Sequence, residues 1–292
     1  MPPIRFCLGP AGLPVTRSRS DRTKFIDFCR RMEDNGFYSI GFGDHLDDRP
    51  SPGAAIAAAA AVTTTLRVGA LVWCNEFRNH ALFAQEVRTL QVLCDSRVEC
   101  GLGVGWMARD FATAGTAPRP FAERLDRLRT TVDAIRAAFV PDRDVACPPL
   151  VIGGGGPKML QAAAELADIV AINIPLLAGA GVAANTIAEI GEEHAVRNRI
   201  QLVRLTNPSA ELQMNIHEVY VGDDWQSFVK HRAGELAMSE DSFARSPHVL
   251  VGSVPVIVDT LRERAETLDV SYWSMTGAAL EMMTPVVAAL KA

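Results

Sequence analysis

The sequence lacks the spacings by which a metal site announces itself. Its six cysteines, Cys7, Cys29, Cys74, Cys94, Cys100 and Cys147, show no CxxC, and its six histidines form neither HExxH nor HxH. Ligands scattered in this way offer no nucleus for zinc, so no metal is expected, and in a reducing compartment most of these thiols read as small core hydrophobes. An excess of positive charge is missing too. With 29 Lys and Arg against 34 Asp and Glu the net charge is −5, whereas nucleic-acid binding needs a basic face that displaces counterions from phosphate. No apolar run reaches bilayer length: the alanine-rich stretch from Ala54 to Val62 is too short and is followed by threonines. The first residues, MPPIRFCLGPAGLP, carry no apolar core behind a basic end and so no signal peptide. A soluble, cytoplasmic protein is expected, with neither nucleic acid nor membrane as a partner.

What the chain does have is a rhythm. Short β-rich apolar runs alternate with amphipathic helical windows along all 292 residues. Strands are expected at Ile4–Leu8, Tyr38–Gly43, Arg67–Trp73, Arg97–Gly103, Leu150–Ile152, Ile169–Ile174, Leu212–Val221 and Val270–Met275, with Ile200–Thr206 competing for the seventh place. Phe25, Phe28 and Met32 mark a helix that Asn35-Gly36 closes. Phe83, Val87, Leu90 and Cys94 line another, and Leu125, Leu128, Val132, Ile135 and Phe139 the clearest of all. Helices are further expected at Met159–Ala167, around Asn185–Arg199, from Pro255 to Leu268 and over Leu280–Leu290. Eight such units without a linker point to one (β/α)8 TIM barrel spanning residues 1–292, with a doubly wound open sheet as the alternative.

In a barrel the loops that follow the strands build the site, and four of them carry chemistry. Asp44-His45 follows the second strand; histidine exchanges protons near neutrality, though the pair also reads as a turn cap beside a loop residue. Trp73, in Leu71-Val72-Trp73-Cys74-Asn75, reads equally as a wall for a planar ring or as core. In Gly101-Leu102-Gly103-Val104-Gly105-Trp106 the glycines allow close approach to the backbone, while the third glycine of a Rossmann pattern is absent and Phe111 to Pro120 reads as loop. Gly153-Gly154-Gly155-Gly156-Pro157-Lys158 sets backbone N–H groups and a cation at a helix start, an arrangement suited to phosphate and lacking the Walker spacing.

These stretches resemble the luciferase-like monooxygenase family, above all its coenzyme F420-dependent oxidoreductases. The match is ordered: Asp44-His45, LRVGALVW with FRNHALFAQEVRTLQVL, RVECGLGVGW against the family's GLGxGW, ERLDRLRTTVDAIRAAF, IGGGGPKMLQAAAELAD, and HVLVGSVPVIVDTLRERAETLDVSYWSM. The resemblance implies a flavin or deazaflavin ring across the strand ends and its phosphate at Gly155, Gly156 and Lys158. It implies a non-proline cis peptide at Leu71–Val72 and His45 as proton donor or charge stabiliser, with Asp44 beside it. Trp73, Cys74, Gly103, Gly105, Trp106 and Asn173 become candidate cofactor-pocket residues. The chain departs from the pattern at Ala108, where relatives often carry a glutamate; Asp110 replaces that acid only if its loop turns inward.

The activity expected is hydride transfer between coenzyme F420 and a small organic substrate. The alternatives are a monooxygenase using reduced FMN and oxygen, and a cofactor-binding protein without catalysis. The polyanionic tail of F420 favours basic loop residues, for which Arg17, Arg19, Arg49, Arg78 and Arg109 are candidates. An exposed apolar helix face would make a homodimer.

Overall fold

A computed structural model describes residues 2–9, 19–139, 144–174 and 193–291. In chain order the elements are β1 (Arg5–Gly9), α1 (Arg19–Asp34), β2 (Ser39–Phe42), α2 (Pro52–Ala60), β3 (Arg67–Ala70), β4 (Trp73–Cys74), α3 (His80–Leu93), β5 (Val98–Gly103), α4 (Ala108–Thr113) and α5 (Phe121–Ala138). They continue with β6 (Leu150–Gly154), α6 (Pro157–Leu166), β7 (Ile169–Ile172), α7 (Glu193–Thr206), β8 (Glu211–Asn215), β9 (Glu218–Val221), α8 (Trp225–Glu235) and α9 (Glu240–Arg245). The last four are β10 (Val249–Gly252), α10 (Val254–Thr267), β11 (Tyr272–Thr276) and α11 (Leu280–Lys291).

The main sheet runs β3-β2-β1-β11-β8-β7-β6-β5-β4, and β3 pairs with β5 as well. That second pairing joins the two ends of the order, with β4 continuing β3, so the fold is a (β/α)8 TIM barrel. The pairings β2–β3, β3–β5, β5–β6 and β8–β11 are all parallel.

The chain divides into two compact units, one of Gly9–Gly153 with Leu166–Ile169, the other of Met1–Leu8, Gly154–Glu165 and Val170–Ala292. In the first, α1 ends as its sequence dictates: Gly36 takes φ +76°, and the N–H groups of Gly36 and Phe37 return to the carbonyls of Glu33 and Met32. Asn79 starts α3 by accepting from the N–H groups of Ala81 and Leu82. Val87 and Leu90 of α3 and Leu128, Val132 and Ile135 of α5 are buried, each contributing about 1.5–3 kcal/mol of apolar burial. In the second unit, Met214, Trp273, Ile257, Leu261, Met283 and Val286 form the buried centre. A smaller cluster of Val229, Ala233, Phe243, Val249 and Val251 lies under Tyr220 and Phe228, whose rings stack at 4.7 Å.

Several expectations change. The third strand stops at Ala70 and resumes as β4. The helix α4 occupies the start of the Phe111–Pro120 stretch read as loop. Ile200–Thr206 is helical, within α7. The Leu212–Val221 run breaks at Ile216-His217: β8 belongs to the barrel sheet, while β9 pairs with β10 in a separate two-stranded sheet. The helix expected around Asn185–Arg199 lies outside the described residues up to 192, as does Arg17. Among the described residues no helix is long and apolar enough to cross a membrane, and no group of His, Cys, Asp and Glu is placed to hold a metal ion.

Candidate active site

In the first unit the ends of β2 and β3 frame a cleft of about 130 Å³, lined by Gly9, Gly41, Phe42, Gly43, His45, Arg49, Pro50 and Leu71. Three of its eight lining residues are glycines. A Cβ on Gly43 would stand 3.6 Å from the His45 ring and 3.7 Å from the Arg49 guanidinium, filling space the glycine leaves open. The Leu71–Val72 peptide bond is cis, at the position the resemblance implies.

His45 is oriented by a partner distant in sequence. Its Nδ1 lies 2.6 Å from Asp110 Oδ2, and the backbone N–H of Leu46 donates to Asp110 Oδ1 at 3.3 Å. Asp110 sits in the first turn of α4 and is only 4% exposed. Facing a carboxylate, Nδ1 carries the hydrogen, which leaves Nε2 as the nitrogen free to accept or deliver a proton. The Trp106 ring stands edge-on to His45 with centroids 6.0 Å apart, and 45% of Trp106 is exposed.

Asp44 does not accompany His45. Its carboxylate forms an ion pair with Arg78 and accepts the backbone N–H of Cys74 at 2.8 Å. Arg78 in turn donates to the Cys74 carbonyl at 3.0 Å. Asp44 thus fastens the loop after β2 to the end of β4. Neighbouring residues of an extended segment point to opposite sides, which is why the adjacent acid is not the histidine's partner.

Trp73 is a core residue rather than a pocket wall. It is fully buried and meets Phe83 edge-to-face, centroids 5.0 Å apart. Cys74 is buried beneath Gly105, and burial pushes its thiol up to about 11, so it is no nucleophile at neutral pH. The glycines of the GLGVGW stretch answer to their neighbours. A Cβ on Gly101 would lie 1.9 Å from the Ala70 carbonyl oxygen, and one on Gly103 would lie 2.7 Å from Val72 Cγ2. Gly105 has φ +76°, and its Cβ would meet Cys74 Sγ at 2.7 Å and the Phe111 ring at 3.0 Å.

Sequence reasoning passed over Asn75. It is 1% exposed, and among the described residues neither its amide nitrogen nor its amide oxygen has a hydrogen-bond partner. A buried amide of this kind costs free energy unless a ligand or water completes it.

The remaining candidates belong to the second unit. Gly155 and Gly156 form the turn between β6 and α6, where the Gly156 carbonyl accepts the N–H groups of Met159 and Leu160. A Cβ on Gly156 would meet nothing within 4 Å. Lys158, in the first turn of α6, is exposed. The Asn173 N–H donates to the Gly154 carbonyl, and its Oδ1 accepts the N–H of Ile174.

Residues 4–210 match the luciferase-like monooxygenase family profile, and the chain belongs to that family. It is 28% identical over 169 residues to the F420-dependent glucose-6-phosphate dehydrogenase of Amycolatopsis mediterranei, covering 49% of this chain and 51% of that one. The chain thus spans about half the length of the curated relatives it matches. Among solved structures it is similar to the F420-dependent tetrahydromethanopterin reductase from Methanopyrus kandleri (TM-score 0.69, 15% identity, 99% of this chain and 100% of that one). A riboflavin lyase solved with modified FMN and riboflavin gives TM-score 0.73 at 12% identity over 99% and 92% of the two chains. At such identities the structures speak for the fold.

Proposed function

We propose that the protein is an oxidoreductase that transfers a hydride between coenzyme F420 and a small organic substrate, with His45 handling the accompanying proton. The observation that carries this reading is the His45–Asp110 pair at the cleft: a histidine with one nitrogen fixed by a buried carboxylate and the other left for exchange. Asp110 replaces the glutamate that Ala108 lacks. It acts by orienting His45 and fixing which of its ring nitrogens carries the hydrogen.

The residues present fit a planar heteroaromatic ring. Gly41, Gly43 and Leu71 line the cleft that would take its face, and Asn75, at the end of β4, carries an amide left unpaired among the described residues. In the second unit, taken by itself, Gly155, Gly156 and Lys158 offer the backbone N–H groups and cation that suit a phosphate. When bound, the cofactor would supply or receive the hydride. The chain's own groups position it, keep the Cys74 thiol protonated and give His45 a fixed tautomer.

The basic residues weighed for the F420 tail give less support than the sequence promised. Arg78 is engaged by Asp44, while Arg49 and Arg109 both pair with Asp47. That pairing favours a second reading, a flavin enzyme using FMN, whose single phosphate needs no further cations. Titration with F420 and with FMN, followed by absorbance and fluorescence, separates the two: micromolar binding of FMN alone overturns the F420 reading. With the preferred cofactor bound, His45→Ala should lower turnover by about 10²–10⁴-fold, the usual contribution of a positioned acid or base, with cofactor affinity nearly unchanged. Asp110→Asn should lower turnover by a smaller factor. Loss of affinity with intact turnover in His45→Ala would make the histidine a ring contact instead.

A further inference from the structure

Within the second unit a polar cluster stands at the C-terminal ends of β8 and β11. Arg199 of α7 reaches His248 Nε2 at 3.3 Å, and His248 Nδ1 lies 2.7 Å from the Asn215 carbonyl. The Ser274 hydroxyl donates to Asn215 Oδ1 at 3.2 Å, and Asn215 Nδ2 lies 3.2 Å from His217 Nε2. The register of β11 on β8 places Ser274 directly opposite Asn215.

The hydrogen positions follow link by link. Arg199 has only donors to offer, so His248 Nε2 accepts and its Nδ1 carries the hydrogen given to the Asn215 carbonyl. Ser274 occupies Asn215 Oδ1 as a donor, so Asn215 presents its NH₂ to His217. His217 Nε2 therefore accepts, and the neutral ring holds its hydrogen on Nδ1. That Nδ1–H has no acceptor among the described residues. Unlike His248, which is fully buried, His217 is half-buried. Its backbone is fixed as firmly as its ring: the His217 N–H donates to the His248 carbonyl at 2.8 Å, and that of Ile216 to the Ser274 carbonyl at 2.7 Å. Arg264 ties down the His248 segment through the carbonyls of Ser246, Pro247 and Val249.

We propose that His217 is a neutral, single-tautomer hydrogen-bond donor that offers its Nδ1–H to a carbonyl or hydroxyl oxygen of a bound ligand, with Asn215, Ser274, His248 and Arg199 as its positioning residues. A purely structural histidine would have both nitrogens engaged, as His248 does. The arrangement keeps the ring uncharged: Asn215 fixes Nε2 as an acceptor, and burial lowers the His217 pKa against the opposing pull of Glu218. A neutral donor can serve a neutral oxygen without bringing a charge out of water. The inference stands apart from the choice of cofactor, because the donor needs none.

The test is the side-chain nitrogen NMR of histidine-labelled protein without cofactor. His217 should show a protonated Nδ1 and an unprotonated Nε2; the opposite tautomer overturns the proposal. Titration with cyclohexanone or cyclohexanol at millimolar concentration should shift the His217 Nδ1–H resonance, whereas methylcyclohexane should leave it in place. Equal shifts from all three probes, or from none, overturn it. Asparagine places an NH₂ where the Nδ1 of histidine lies and glutamine places one nearer Nε2. His217→Asn should thus retain cyclohexanone affinity while His217→Gln and His217→Ala weaken it about tenfold, the usual effect of one hydrogen bond. Unchanged affinity in folded His217→Ala, or loss in His217→Asn equal to that in His217→Gln, would make the residue structural. A shift of the wild-type resonance depends on no variant folding.

Discussion

The chain has two glycine-rich stretches at strand ends, and the last glycine of the second stands apart: Gly154 is crowded by Met159, whose Cγ would lie 2.4 Å from a Cβ there, but Gly156 is not. In Gly101–Gly105 every glycine tested against its surroundings is crowded: by the Ala70 carbonyl, by the Val72 side chain, or by Cys74 and Phe111. At Gly156, in the turn between β6 and α6, a side chain would enter open space. The first stretch needs glycine to let strands and the α4 segment close together. In the second, the fold places no demand at Gly156, and the absence of a side chain leaves backbone N–H groups accessible, as phosphate binding requires. A glycine pattern in sequence thus does not distinguish packing from ligand approach; the neighbours do.

Substitutions make the contrast measurable. Gly101→Ala should be the most damaging, because a Cβ 1.9 Å from a carbonyl oxygen of a neighbouring strand cannot be relieved by a rotamer change. The expected loss exceeds about 3 kcal/mol, beyond ordinary overpacking, and is read by urea denaturation. A variant within 1 kcal/mol of the parent would mean that β3 and β5 separate easily, and the crowding argument would fail at its strongest point.

Gly105→Ala should come next, at about 2–3 kcal/mol, combining left-handed backbone in a non-glycine residue with contact on Cys74 and Phe111. Phe111 adjoins Asp110 in α4, so turnover should fall further than stability alone explains. Retained turnover would show that Asp110 holds His45 regardless of where Phe111 sits. Gly103→Ala should cost less, about 1–2 kcal/mol, since the atom it meets is a side-chain methyl of Val72 that can give way. A loss matching that of Gly101→Ala would place Val72 among the rigid parts of the site.

The barrel was legible because alternating apolar runs and helical windows report burial directly, and eight of them admit few topologies. Where the reading failed, the missing information was three-dimensional. The Leu212–Val221 alternation continues through Ile216-His217, so nothing in the pattern reveals that the chain leaves one sheet there for another. Trp73 reads equally as ring wall or core in sequence, and only its edge-to-face contact with Phe83 makes it core. Asp44 was favoured for standing next to His45, yet the acid that reaches the ring lies 65 residues on, in a helix of only six residues read as loop. His217 gave no sequence signal, because its significance lies in which of its nitrogens the cluster leaves unused.

The smallest effect on folding is expected at Gly156, and it is the sharpest test of the contrast. The residue does not require positive φ, and among the described residues a Cβ there meets no neighbour within 4 Å. Replacing it with alanine removes freedom chiefly from the unfolded chain, which should leave stability unchanged or raise it by about 0.4–1 kcal/mol. If the turn takes a phosphate, the same methyl stands where the ligand must approach the backbone. Cofactor affinity should then fall several-fold, and Lys158→Ala should weaken it as well by removing a charge. The two readouts move in opposite directions only if Gly156 is kept for a ligand. Thermal melts and cofactor titrations on the same preparation decide it: undiminished affinity in both variants removes the phosphate from this turn, while a large loss of stability in Gly156→Ala would return the second stretch to the company of the first.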